Sequence, residues 1–129
     1  MYKRQEVYKV RAAFEMAATP VSGDAIELYW AASSSSTPAT GNPGGVIGAS
    51  GTYAGYSANL ASSIRQLDFI GIFVCTVQVT AVVQVAEVGM FIPSERYGSL
   101  VVKNESAAAF HSDDVECHVV FDPIVPETQ

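Results

Sequence analysis

The side chains best suited to chemistry cluster late in the chain. His111-Ser112-Asp113-Asp114 stands just ahead of Glu116 and His118. Carboxylates of this kind suit Ca²⁺, and imidazoles suit zinc. The spacing matches no loop of known ligand geometry, however. Alternation along the following strand would point Asp114, Glu116 and His118 outward. A turn in which Asp side chains bond local backbone explains 111–114 more simply, so no metal site and no cofactor are expected.

Nucleophilic catalysis would need Ser or Cys beside a base and an orienting acid. Serines are plentiful, yet none stands in a Gly-x-Ser-x-Gly elbow. Cys75 lies in an apolar strand, where a thiolate is disfavoured. Nothing marks a pair of carboxylates for hydrolysis. The Gly-Gly-Val-Ile-Gly stretch at 44–48 is not a phosphate cradle, because GxxxxGK[ST] is absent and no suitable strand precedes it. Tyr29, Trp30, Tyr53 and Tyr56 could form a sugar-stacking platform. Yet Tyr29 and Trp30 face opposite ways on a strand, and a lone tryptophan on an apolar face belongs more often to a core. No catalytic residue is expected, and the chain does not read as an enzyme.

The elements that would carry these residues are strands. Tyr8, Val10, Ala12, Phe14 and Met16 alternate with Lys9, Arg11 and Glu15, so a half-buried strand is expected over 7–16. A turn follows at 19–24. Ile26, Leu28 and Trp30 then alternate with Glu27 and Tyr29. From about 31 to 55 the chain is rich in Ser, Gly and Pro and reads as one long surface loop, suited to lying on another protein. One or two helical turns fit 57–65. Residues 66–76 form the most apolar strand: Leu67, Phe69, Gly71, Phe73 and Cys75 share one face, and Ile70, Ile72 and Val74 make the other. Such a strand is central in a sandwich or buried by a partner. Further strands are expected over 77–91, with a turn near Thr80-Ala81 and a stop at Pro93, then over 98–103 and 115–121. In the last, Val115, Cys117, Val119 and Phe121 face inward. The tail 123–129 is expected to be extended. The fold class is all-β: one antiparallel β-sandwich domain over 1–129, with a jelly roll as one form of it.

Composition adds bounds. A chain of 129 residues can bury a real core. Charged residues make up only 16%, against roughly 25% in globular domains. Part of the surface is therefore expected to be covered by neighbouring subunits, with a trimer preferred to a dimer. A net charge of −6 argues against nucleic-acid binding. Four of the seven basic residues, Lys3, Arg4, Lys9 and Arg11, lie at the start, and no Lys or Arg follows Lys103. A basic start and an acidic end can attract each other, within a subunit or between subunits. The first residues lack a signal-peptide hydrophobic region, and no apolar run approaches the ~18–20 residues of a membrane span. Cytoplasmic synthesis and no membrane partner are expected. Cys75 and Cys117 form no CxxC motif and read as buried free thiols. The sequence leaves a disulfide between them open.

Three segments carry a resemblance: Ile64-Arg65-Gln66-Leu67-Asp68-Phe69-Ile70-Gly71-Ile72-Phe73-Val74, Arg96-Tyr97-Gly98-Ser99-Leu100-Val101-Val102-Lys103-Asn104 and Ala109-Phe110-His111-Ser112-Asp113-Asp114. In general wording they resemble small structural proteins of tailed bacteriophages, over roughly 24–129. The resemblance implies a virion component made in the host cytoplasm and present in many copies. It would be a capsid decoration (cement) protein, or a neck or tail accessory. The implied partners are the major capsid protein, other virion proteins and further copies of the chain. It transfers no catalytic residue. A receptor- or glycan-binding sandwich module is the alternative from another class.

Overall fold

A computed structural model describes residues 6–37, 60–76, 82–111 and 117–124. The fold is all-β. Six strands are described: β1 (Val7–Glu15), β2 (Ala25–Ser33), β3 (Asp68–Val74), β4 (Val83–Phe91), β5 (Tyr97–Asn104) and β6 (His118–Ile124). They form two three-stranded antiparallel sheets, ordered β4-β1-β6 and β3-β2-β5. The described helix is a single turn, Leu60–Ser63, continued by a 3₁₀ turn to Gln66, one residue past the stretch expected to be helical.

The chain divides into two compact units. The first comprises Met1–Glu27, Ile70–Ile92 and Lys103–Gln129; the second comprises Leu28–Phe69 and Pro93–Val102. The whole β4-β1-β6 sheet belongs to the first. Its core face holds Val10, Ala12 and Phe14 of β1, all buried as alternation requires. Phe14 packs edge-on against Phe73 and stacks on Phe110, both at 5.0 Å between ring centroids. Phe121 of β6 meets Tyr8 and Phe91 edge-on. In the second unit, Ala31, Leu67 and Val101 form a buried cluster, with Tyr29 and Ile64 against it.

Turns follow their local chemistry. Gly23 takes φ +93°, a left-handed conformation that glycine adopts without steric cost. Asp24 closes that turn by accepting the Val21 N–H on Oδ2 at 3.2 Å. β2 runs three residues into the stretch expected to be loop, and Ala31 and Ser33 are buried. The strand stops where serine hydroxyls compete for the backbone: Ser33 Oγ donates to the Ser35 carbonyl and accepts the Ser35 N–H. The rest of that loop, and the Thr80-Ala81 turn, lie outside the described residues.

Where β3 and β4 meet, the strands come closer than side chains allow. A Cβ on Gly71 would lie 2.6 Å from both the carbonyl oxygen and Cγ1 of Val88. A Cβ on Gly89 would lie 3.2 Å from the Ile70 carbonyl oxygen. Val88 is the extra residue of a β-bulge, because Val10 pairs with Gly89 but Arg11 pairs with Glu87. Farther along, the Gln84 carboxamide acts as a surrogate peptide. Its Oε1 accepts the Thr76 N–H at 2.8 Å, and its Nε2 donates to the Thr76 carbonyl at 3.2 Å.

Two placements differ from the sequence-based expectation. The 66–76 strand is not central: β3 sits at the edge of its sheet, with Ile72 47% and Val74 58% exposed. Apolarity on both faces does not say what covers the second face, and among the described residues nothing buries these two. Glu15, expected to point outward, is buried at 4% exposure. The 109–111 segment pairs with the end of β1, through Ala17 N–H to the Ala109 carbonyl and His111 N–H to the Glu15 carbonyl, both 2.8 Å. That pairing brings His111 Nδ1 to 3.9 Å from Glu15 Oε2.

Candidate interaction surface

Register sorts the β4-β1-β6 sheet into two faces, because directly opposed residues share a face. Opposite the core lies an outer face. On β1 it carries Val7, Lys9, Arg11, Ala13 and Glu15. β4 adds Met90, Glu87, Val85 and Val83, opposite Lys9, Arg11, Ala13 and Glu15 in turn. β6 adds Ile124, Asp122, Val120 and His118, opposite Val7, Lys9, Arg11 and Ala13.

This outer face is unusually apolar for an exposed sheet. Val85 is 63% and Met90 62% exposed, and Val83, Val120 and Ile124 are exposed as well. The charges sit among them as opposed pairs. Lys9 lies directly across from Asp122, and Arg11 across from Glu87. Lys9 Nζ also reaches to 3.9 Å from Glu87 Oε2. Register therefore sets one residue of the basic start, Lys9, across from one residue of the acidic end, Asp122, within one chain. Exposed pairs of this kind contribute little stability, about 0–1 kcal/mol each. Their effect here is to make the exposed part of the face electrically neutral.

At one end, Glu15 and Ala13 are buried on this same face. Cys117 lies beside them: its Sγ donates to the Glu15 carbonyl at 3.3 Å and to the His111 carbonyl at 3.6 Å. Its single S–H can serve one of these carbonyls at a time. Cys75 and Cys117 are both free; Cys75 is buried and Cys117 half-buried. Burial pushes the Cys75 thiol above its ordinary value, and the Asp24 carboxylate adds to the shift. This places Cys117 nearer the surface than alternation alone implied.

The remaining candidates are only partly brought together. His111 reaches Glu15, whereas His118 is exposed on the outer face across from Ala13. Asp113, Asp114 and Glu116 lie outside the described residues. Among the described residues, no group of three or more His, Cys, Asp or Glu is placed to hold a metal ion. Of the aromatic platform, Tyr53 and Tyr56 lie outside the described residues. Tyr29 packs on Phe69 at 5.4 Å. The Trp30 indole lies against Gly98 of β5, so closely that a Cβ there would overlap the ring. Trp30 thus covers a glycine in the neighbouring strand, a packing role. No described helix is long and apolar enough to cross a membrane.

The outer face was not apparent from the sequence. Its residues come from three distant segments, and the bulge at Val88 reverses the alternation midway along β4. Compared with protein-family models, with curated proteins and with solved structures, the chain matches none.

Proposed function

We propose that this chain is an adhesive structural component of a tailed-phage particle, and specifically a capsid decoration (cement) protein. The observation that carries adhesion is the outer face of the β4-β1-β6 sheet. It pairs exposed Val85, Met90, Val120 and Ile124 with charges already opposed within the face. Covering such a face removes apolar area from water at about 25 cal/mol per Å². Opposite charges stand across from one another within the face, so it carries no net charge into the contact. A particle as the setting comes from the resemblance of the 64–74, 96–104 and 109–114 segments to small virion proteins. Adhesion among copies, and onto the major capsid protein, would bridge subunit boundaries and reinforce the shell.

The test is to purify the parent particle and quantify the chain in it, then to compare intact particles with particles made without it. The protein should be present in many copies, and particles lacking it should release their genome at lower temperature. Particles that withstand heating equally well but fail to adsorb to host cells would replace this reading with a receptor-binding one.

A further inference from the structure

We infer that the outer face of the β4-β1-β6 sheet binds a second copy of this chain about a two-fold axis, with Arg11 of each copy set against Glu87 of the other. The inference rests on the adhesive reading above and names the occupant of its surface.

The argument begins with charge. The chain carries 7 basic and 13 acidic residues, a net −6. The exposed outer face holds Lys9 and Arg11 against Glu87 and Asp122, a net of zero. The remainder then holds 5 basic and 11 acidic residues, still −6. Two copies approaching through surface of that net charge repel, whereas a neutral apolar face adds no repulsion of its own.

Register supplies self-complementarity. A two-fold axis parallel to the strands and running between β1 and β4 lays β1 of each copy over β4 of the other, at the same level along the strand. Each β1 residue then faces the residue type that opposes it within its own sheet. Arg11 faces the partner's Glu87, twice, as an isologous contact requires. Lys9 places its aliphatic stem over Met90. Direct superposition of β1 on β1 would instead set Lys9 on Lys9 and Arg11 on Arg11.

Area sets the strength. The overlap is two strands wide, about 10 Å, and nine residues long, about 27 Å. That outline of roughly 270 Å² falls well below the ~800 Å² per partner of a standard interface. The pair is therefore weak and concentration-dependent in solution, and it strengthens where copies are held close together on a common support. The inferred unit is a pair, where the sequence reading preferred a trimer.

The test uses the full chain and two charge reversals, Arg11→Glu and Glu87→Arg, with circular dichroism confirming that both fold. In sedimentation equilibrium up to about 1 mM, a range chosen for weak affinity, the wild type should dimerise. Each variant alone sets like charges across the axis twice and should pair at least ~10-fold more weakly. An equimolar mixture of the two should recover pairing to within about threefold of wild type. In a mixed pair the carboxylate introduced by Arg11→Glu meets the guanidinium introduced by Glu87→Arg, and the two unaltered side chains, Glu87 of one chain and Arg11 of the other, meet across the axis. Effects confined to one chain cannot give that rescue. A monomeric wild type, single variants that pair normally, or a mixture that stays monomeric would each overturn the inference. Particle binding separates the two proposals. Wild type that is monomeric yet binds particles defeats the pair alone; wild type that pairs but is absent from particles defeats the virion reading alone.

Discussion

Replacing Gly71 with alanine tests whether β3 and β4 approach as closely as the structure has them. The added methyl would meet two atoms of Val88 at 2.6 Å, and they differ in kind. Cγ1 can move by rotation of the side chain. The carbonyl oxygen belongs to the bulged backbone of β4 and cannot move without disturbing the β1–β4 ladder. Overpacking a tight site costs about 1–3 kcal/mol, and an immobile backbone partner places this site at the upper end. Alanine also lowers the entropy of the unfolded chain, which returns about 0.4–1 kcal/mol. The expected net loss is therefore about 2 kcal/mol, near 8 °C in Tm for a chain of this size. Urea denaturation should show a lower midpoint with an unchanged m-value. Combining Gly71→Ala with Val88→Ala removes the Cγ1 clash but leaves the carbonyl clash. The double variant should recover less than half of the loss beyond the cost of Val88→Ala itself. A Gly71→Ala protein within about 0.5 kcal/mol of wild type, or full rescue by Val88→Ala, would refute the backbone contact.

Three further outcomes are expected. Gly98→Ala should cost about 2 kcal/mol by displacing the Trp30 indole; because this clash is with a side chain, Trp30→Leu in the same chain should relieve it, as denaturation midpoints would show. Gln84→Leu should cost about 1 kcal/mol, seen as faster amide exchange at Thr76, whose N–H and carbonyl the carboxamide holds. In native protein a thiol reagent should modify Cys117 before Cys75, and both should react after denaturation without reductant. Since burial raises the folded Cys75 pKa above its ordinary 9.0, the folded state binds the proton more tightly. That contribution is intact below pH 9 and is lost as pH rises from there through the raised folded value. Cys75→Ala should flatten this part of the alkaline decline in a stability–pH series.

Local pattern alone identified the strands, because a period of two needs no knowledge of neighbours. Val10, Ala12 and Phe14 are buried where alternation put them, Gly23 and Asp24 make the turn that their chemistry favours, and β4 ends before Pro93. The role of Trp30 was legible in part: its apolar strand setting pointed to packing, while the glycine beneath it, Gly98, belongs to a distant strand. Burial that depends on a distant segment was not legible. Glu15 sits on the polar side of its strand, yet the pairing of 109–111 with the end of β1 encloses it. The two apolar faces of 66–76 read as a central strand, whereas strand order places β3 at an edge. The sequence likewise shows Lys9 and Arg11 far from Asp122 along the chain. Only the tertiary structure decides that they stand side by side on one exposed face with Glu87. Alternation fixes which residues share a side of one strand, but a sheet face is made by registers between strands far apart in sequence. One bulged residue, Val88, is enough to change which side chains that face presents.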